Sequence, residues 1–195
     1  MSLEGKRIGF VMTGSFCTFS KAFEAAEELV RLGAELTPVM SFNAAGVSSR
    51  FGTAEEHISR IESITGRKVI RTIEDAEPIG PKKLFDIIAI VPCTANTLAK
   101  LATGITDTPA TMAVKSHIRN LRPVALAVST NDALAAAAKN IGALQNSKNY
   151  YFVPYRQDNF AAKPSSAVAD LSLLPKTLEA ALKGEQLEPV LLAPL

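Results

Sequence analysis

Small polar side chains follow four apolar segments of the chain, and they are the residues best suited to bind a ligand. Ser15 follows the first segment and Ser41 the second, while residues 93–97 and 129–131 follow the next two. In an open α/β sheet, ligands bind outside the carboxyl ends of the parallel strands. Hydroxyl and amide groups, together with the free N–H groups at helix N-termini, are suited to a phosphate. The pattern therefore predicts a phosphate-binding site at one edge of a sheet.

The first two of these loops indicate which phosphate compound would bind. A dinucleotide site requires a Gly-x-Gly-x-x-Gly loop after the first strand and an acidic residue after the second. Here residues 14–19 contain the single glycine Gly14, and Ser41 stands where an acid would accept a hydrogen bond from ribose. A terminal phosphate dianion needs donors, and a carboxylate would repel it. The loops therefore favour a mononucleotide such as FMN over NAD.

Several of these residues also have a purely structural interpretation. Ser15, Thr94 and Asn96 are residue types that commonly cap helices, although caps need not converge on one sheet edge. Cys17 and Cys93 are interpreted as small buried hydrophobic residues, which is the commoner role of a free cysteine. Binding and capping both remain open for the hydroxyl and amide residues.

Lys100 and the two histidines have less specific interpretations. Lys100 lies in the first turn of a predicted helix, where the helix dipole disfavours a cation, so either a bound anion or solvation explains it. His57 borders the apolar stripe of another helix and is interpreted as structural. His117 lies on a basic helical face, for which solvation is the simpler explanation and anion binding the alternative. That face carries three further cations, Lys115, Arg119 and Arg122.

Composition and spacing exclude several classes of protein. The two histidines and two cysteines lack the spacing of a zinc site, and nothing indicates a Ser-His-Asp set, so we predict no metal and assign no catalytic residue. A net charge of +2 is too small to hold a polyanion such as a nucleic acid. The longest unbroken apolar run is six residues, 133–138, which is too short for a membrane span.

Length and cysteine content indicate one cytoplasmic domain. A chain of 195 residues, 47% hydrophobic and 21% charged, fits a single globular domain over residues 1–195. The N-terminal residues lack an apolar stretch of signal-peptide length. Two cysteines do not make a disulfide framework, so we expect a reducing environment.

Short apolar runs alternate with helical patterns, which is typical of a parallel sheet wrapped by helices. Strands are predicted at residues 7–12, 35–40, 69–71, 86–91, 124–128 and 151–153. Helices are predicted at residues 19–30, 53–66, from about 96, 110–120, from about 132, and 176–182. Residues 77–81 and 92–95 are predicted to be loops. Pro38 lacks an N–H donor, so its strand is expected near a sheet edge. The expected fold is an open, doubly wound α/β sheet.

These segments resemble the flavoprotein family, which includes flavin-dependent cysteine decarboxylases and a flavin prenyltransferase. The likeness rests on Gly14-Ser15, on Ser41, and on residues 92–100 (Pro-Cys-Thr-Ala-Asn-Thr-Leu-Ala-Lys) followed by residues 104–107. The resemblance implies a three-layer Rossmann-like fold, an open parallel sheet with helices on both faces. It also implies FMN, held by residues of the loops: Gly14, Ser15, Phe16, Ser41, Pro92, Cys93, Thr94, Asn96, Thr97, Thr130 and Asn131.

Four further segments resemble, within this family, one subunit of a two-subunit oxidoreductase of sporulating bacteria. They are residues 77–81, 129–132, 153–158 and 163–166. That enzyme forms pyridine-2,6-dicarboxylate from a heterocycle of the lysine pathway, with NAD(P) on its other subunit. The resemblance implies a homo-oligomer in the cytoplasm of the mother cell. It also implies cations for the two substrate carboxylates, for which we predict Lys100, Arg156 and Lys163.

The chain departs from the family at positions that carry catalysis in other members. Glu77 and Pro78 stand where the decarboxylases have a histidine. Residues 128–131 keep only Asn131 of the Pro-x-Met-Asn motif, and Thr130 replaces an arginine of the prenyltransferase. Three functions therefore remain open: an FMN-binding oxidoreductase subunit, a non-catalytic partner of the other subunit, and a flavin-dependent decarboxylase acting alone. The missing histidine disfavours the third.

Overall fold

Seven β-strands form one sheet in the computed structural model of the chain, which describes residues 2–193. The strands are β1 (Arg7–Met12), β2 (Glu35–Met40), β3 (Ile87–Cys93), β4 (Val124–Thr130), β5 (Tyr150–Phe152), β6 (Tyr155–Asn159) and β7 (Lys163–Ala169). Their order is β2-β1-β3-β4-β7-β6, and β5 also pairs with β4. Strands β1 to β5 are parallel, as predicted, whereas β7 runs antiparallel to both β4 and β6. The sheet is therefore mixed and mostly parallel.

Strand β4 has two different partners beyond its pairing with β3. Residues 124–126 pair with β5, whereas Ser129 and Thr130 pair with β7. The hairpin of β6 and β7 therefore joins the sheet at the carboxyl end of β4. This places the hairpin beside the polar residues that follow that strand.

The α-helices among residues 2–193 cover both faces of the sheet. They are α1 (Phe19–Arg31), α2 (Phe42–Gly46), α3 (Ala54–Thr65), α4 (Ile73–Ala76), α5 (Ala95–Thr103), α6 (Pro109–Ile118), α7 (Ala138–Gln145) and α8 (Leu174–Ala181). Every residue of β3 is buried, and successive strand residues point to opposite faces, so both faces must be covered. In the described part of the chain, no helix is long and apolar enough to cross a membrane.

Local sequence signals place several elements where they were predicted. Strands β1 and β2 have the predicted bounds, and β2, which contains Pro38, lies at the edge of the sheet order. Helix α3 begins with a capping box, in which Thr53 and Glu56 each accept a hydrogen bond from the other's backbone N–H. It ends at Gly66, whose φ of 65° is in the left-handed region that glycine adopts without strain.

Other boundaries differ from the prediction. Pro92 and Cys93 belong to β3 and not to a loop. Residues 132–137 form turns, so α7 begins at Ala138 and not near Asp132. Residues 77–79 form one turn of 3₁₀ helix, which tolerates a proline at its start because the first N–H groups need no partner. The strand predicted at 69–71 is reduced to one bridge with β2.

The hairpin of β6 and β7 was missed by the sequence prediction, which ended the sheet at residues 151–153. Both strands are rich in polar residues and lack the alternation of apolar and polar positions that marks a half-buried strand. They become strands because their backbones pair with each other and with β4. The pairing of β7 with β4, which is distant in the chain, leaves no local signal.

His117 is buried, and its assignment to a solvated basic face is wrong. Its side chain lies in α6 with only 1% of its surface exposed. Its Nε2 donates to the Pro123 carbonyl oxygen at 3.1 Å. Burial lowers the pKa of His117 from 6.5 to about 4, and the nearby Arg122 acts in the same direction. The imidazole is therefore neutral in the folded protein at neutral pH.

We expect folding stability to fall as the pH drops from 6.5 towards 4. In that range the unfolded chain binds a proton on His117 that the folded chain excludes, so acid favours unfolding. The loss should reach about 2–3 kcal/mol near pH 4. Urea unfolding of the wild type and of His117→Gln, from pH 7 to pH 4.5, measures this effect. The variant should have the flatter profile, and equal slopes in the two proteins would contradict the assignment.

Candidate functional site

Two adjoining cavities lie where β1, β3 and β4 end. The larger has a volume of about 630 Å³ and the smaller about 340 Å³, and Gly14, Thr94 and Asn96 line both. Sites for organic ligands commonly have volumes in this range. The larger cavity is also lined by Ser15, Phe16, Thr130 and Asn131, and the smaller by Ser41 and Thr97. The structure thus brings together nine of the eleven residues predicted to bind a cofactor.

The smaller cavity lies among the first residues of α2, α5 and α6. The N-cap residues of these helices are Ser41, Thr94 and Thr108, whose hydroxyls accept backbone N–H bonds at 3.2, 3.4 and 3.2 Å. Ser41 and Thr94 therefore cap their helices and also line the smaller cavity. The N-terminal ends of helices carry partial positive charge. Lys100 lines this cavity together with Asp107, to which it is paired at 2.7 Å, so the helix N-termini provide the donors for an anion.

The buried Thr13 hydroxyl links the two strands whose ends form the site. Thr13 directly follows β1 and is 1% exposed. Its Oγ1 donates to the Pro92 carbonyl oxygen at 2.7 Å and accepts from the Thr94 N–H at 3.0 Å. These bonds connect the first loop to the start of α5. Next to Thr13, Gly14 lets the loop approach α2, because a Cβ there would lie 3.3 Å from that of Asn43.

Three hydroxyl groups form a second link, between the first loop and the end of β4. The Oγ of Ser129 lies 2.7 Å from Thr18 Oγ1 and 3.0 Å from Ser15 Oγ, and the latter two are 3.2 Å apart. Ser15 does not cap the short helix that follows it. Its hydroxyl belongs instead to the wall of the larger cavity.

The three cations predicted to bind substrate do not form one site. Lys100 lines the smaller cavity and Lys163 the larger, while Arg156 lies in a neighbouring groove beside β7. Each of them already pairs with an aspartate, at distances of 2.6 to 2.8 Å. The pairs are Lys100–Asp107, Arg156–Asp170 and Lys163–Asp158.

Pro92 and Cys93 line neither cavity. Both are buried in β3, and burial raises the pKa of the Cys93 thiol far above its usual range. Cys93 is therefore a buried, unreactive residue, as predicted for it. Cys17 differs from its prediction as a buried residue, because it is exposed and lines the larger cavity.

His57 is a packing residue, in agreement with its structural interpretation. It is 5% exposed and lies against the rings of Phe16, Phe19 and Phe23. Burial lowers its pKa, so the imidazole is neutral at neutral pH. Its Nε2 has no hydrogen-bond partner within the described residues.

Two parts of the site were missed by the sequence prediction. The first is the turn that carries Arg50 and Phe51, which lines the larger cavity together with Lys21 of α1. An arginine and an aromatic residue directly before a glycine, in a stretch without apolar periodicity, could have indicated a binding turn. The second is the hairpin, which contributes Asp158 and residues 166–168. Its contribution depends on strand pairing that no local signal reveals.

The donors at this site suit the binding of an organic anion. Among residues 2–193, no group of three or more His, Cys, Asp or Glu side chains could hold a metal ion. The smaller cavity has donors for a charged phosphate. The larger one has hydroxyl, amide and aromatic groups that can surround a planar ring system.

Comparison with known proteins gives consistent results over nearly the whole chain. A family model described as Flavoprotein matches residues 1–172. The B subunit of dipicolinate synthase from Bacillus subtilis (strain 168) is 48% identical over 190 residues, which cover 97% of this chain and 95% of that protein. The crystal structure of the B subunit of dipicolinate synthase from Bacillus halodurans C matches with a TM-score of 0.91 and 42% identity, over 100% of both chains.

A more distant match shows the fold alone. The crystal structure of the FMN-dependent cysteine decarboxylase SpaF has a TM-score of 0.69 at 24% identity, and the match covers 92% of this chain and 99% of that one. The predicted three-layer Rossmann-like fold is confirmed by these structural matches.

We expect Thr13→Val to destabilise the fold by about 1–3 kcal/mol, because it leaves a buried carbonyl and a buried N–H without their partner. The free energy of unfolding in urea measures this cost. Thr103→Val is a matched control, since the Thr103 hydroxyl is exposed and bonds only within its own helix. Equal stability of the two variants would show that Thr13 does not hold the two strand ends together.

Proposed function

Because the chain belongs to the flavoprotein family, we propose that it acts as the B subunit of a dipicolinate synthase and binds FMN. In this role it works with an A subunit that carries NAD(P), and together they form pyridine-2,6-dicarboxylate from a heterocycle of the lysine pathway. The near full-length identity to the B subunit of the Bacillus subtilis synthase supports the assignment.

The cofactor proposal rests on one observation. The N-termini of α2, α5 and α6 lie together at the smaller cavity. Gly14, Ser41, Thr94 and Thr97 offer backbone and hydroxyl donors around a space of about 340 Å³. A phosphate with two negative charges fits a donor set of this kind. The cavity opens beside a larger one of about 630 Å³, which has room for a planar ring. The residues present therefore fit a mononucleotide whose phosphate and ring occupy adjoining spaces.

The cavity that each loop residue lines indicates which part of FMN it would contact. We assign Ser41, Thr94, Asn96 and Thr97 to the phosphate and ribose, together with Gly14. Ser15, Phe16, Thr130 and Asn131 are assigned to the ring, since they line the larger cavity. When bound, FMN would supply a two-electron oxidant of the kind needed to aromatise a dihydropyridine ring. The chain itself orients the ring and holds the substrate.

The same proposal places the chain in an assembly in the cytoplasm of the mother cell. The close relatives are themselves named as one subunit of an enzyme, which supports a second subunit. A homo-oligomer is also part of the proposal. A decarboxylase acting alone is less well supported, because Glu77 and Pro78 line neither cavity and so provide no replacement for the missing histidine.

We expect the purified chain to take up one FMN, and the absorption spectrum of the chain titrated with FMN measures this. Product formation should require this chain, FMN, NAD(P) and the A subunit together. A chain that takes up no FMN, while the A subunit still depends on it for product formation, would favour the role of a non-catalytic partner.

Ser41→Asp should weaken FMN binding about tenfold or more, because its carboxylate would face the phosphate dianion. Aspartate is as good an N-cap as serine, so the cap of α2 is retained and the loss reports on charge alone. Ser41→Asn is the matched control, because its side chain has the size of aspartate without the charge, and it should bind FMN more tightly than Ser41→Asp. Quenching of FMN fluorescence gives both affinities. Equal binding by the Asp and Asn variants would contradict the phosphate site.

A further inference from the structure

We propose that Arg50 and Lys21 bind the two carboxylate groups of the substrate at the larger cavity. This inference rests on the proposed function, since it identifies the residues that recognise a dicarboxylate. It replaces the prediction from the sequence, in which Lys100, Arg156 and Lys163 had that role.

The cations predicted from the sequence are paired with carboxylates, whereas Arg50 and Lys21 are not. Lys100, Arg156 and Lys163 each have an aspartate oxygen within 2.8 Å. The paired aspartate offsets the charge of each of these cations, so an incoming carboxylate gains less Coulomb attraction from them than from an unpaired cation. Arg156 also lines a different groove from Lys163. These three residues are therefore poorly placed to bind one small molecule.

Arg50 and Lys21 can bind an anion without breaking an existing ion pair. Across residues 2–193, no carboxylate oxygen lies within 4.0 Å of either side-chain charge. Both residues line the larger cavity, where the other charged groups are the Lys163 and Asp158 pair. The wall of this cavity therefore carries two positive charges without a counter-charge. A dicarboxylate supplies two negative charges.

A tight turn holds Arg50 at the edge of the cavity. Ser49 and Gly52 exchange two backbone hydrogen bonds, at 2.9 and 3.1 Å, and so place Arg50 and Phe51 at the tip. The guanidinium of Arg50 lies 4.9 Å from the centre of the Phe51 ring. Stacking on an aromatic ring orients a guanidinium while its N–H groups remain free to donate. A carboxylate can then accept two parallel bonds from it.

The turn rests on the buried aromatic cluster around His57. Gly52 has a φ of 130°, and a Cβ there would lie 2.8 Å from Cε1 of His57. Only glycine therefore allows the turn to approach the imidazole so closely. Since His57 is itself fixed between phenylalanine rings, the position of Arg50 is set by the fold. His57 thus acts as a positioning residue for the turn.

The test measures binding of two probes to the FMN-loaded chain by calorimetry. Pyridine-2,6-dicarboxylate has two carboxylates, and pyridine-2-carboxylate has one. We expect Arg50→Gln and Lys21→Gln each to weaken binding of the diacid about tenfold or more, and to reduce its advantage over the monoacid. FMN affinity should stay within about threefold of the wild type in both variants.

Arg60→Gln is the matched control. Arg60 is also an exposed arginine stacked on a phenylalanine ring, Phe23, at 4.6 Å, but it does not line the larger cavity. Arg60→Gln should bind both probes with the affinity of the wild type. Arg50→Lys keeps the charge but lacks the second parallel bond, so its diacid affinity should fall between those of the wild type and Arg50→Gln.

Different failures have different meanings. Wild-type diacid affinity in Arg50→Gln and Lys21→Gln, or absence of diacid binding to the FMN-loaded wild type, would overturn the inference and leave FMN binding intact. If Arg50→Gln lost the same affinity for FMN as for the diacid, Arg50 would be assigned to the cofactor. That result would also overturn the inference. Failure of the wild type to bind FMN would contradict the proposed function itself, and diacid binding measured without FMN would still test Arg50 and Lys21.

Discussion

The hydrogen bonds of the Thr13 hydroxyl are the constraint on which the site depends. The end of β1 and the start of α5 are about eighty residues apart in the chain, and Thr13 Oγ1 joins them through Pro92 and Thr94. When a buried hydroxyl both donates and accepts a hydrogen bond, removing it lowers the free energy of unfolding. The relative position of the first loop and the loop after β3 is therefore rigid. Residues of these two loops line both cavities.

Electrostatics divides the site into two parts with different tasks. The smaller cavity is formed by helix starts and is suited to a phosphate, whose charge the helix dipoles stabilise. The charged groups of the larger cavity are side chains of α1, of a turn and of the hairpin. Long side chains can be exchanged without altering the sheet. Such a division would let one scaffold keep its anion site while the ligand of the larger cavity changes.

Similar proteins share this fold at very different levels of sequence identity. The close relatives match over nearly their whole length, including the hairpin of β6 and β7. The decarboxylase SpaF shares the fold at much lower identity. The segment at Glu77 and Pro78, where decarboxylases have their histidine, lies away from both cavities here. Loss of that group leaves the sheet and the helix starts unaffected, because neither depends on it.

Much of the scaffold could be predicted from the sequence, because its signals are local. The apolar runs of β1, β2 and β3, the capping box at Thr53 and the glycine at the end of α3 each act within a few residues. The resemblance to the flavoprotein family is confirmed by the family model and the close relatives. Nine of the predicted cofactor residues converge because parallel strands bring their carboxyl ends to one edge.

The tertiary structure alone decided which charges are free. Lys100, Arg156 and Lys163 are predicted to be ligand cations from their loops, yet each pairs with an aspartate 5 to 14 residues away along the chain, a pairing that no sequence pattern indicates. The burial of His117 and the pairing of β7 with β4 depend on contacts between segments that are distant in the chain. A residue type and its neighbours in the chain determine what a side chain can do. Whether it remains available depends on the groups that packing places beside it, because charge pairing and burial act through space.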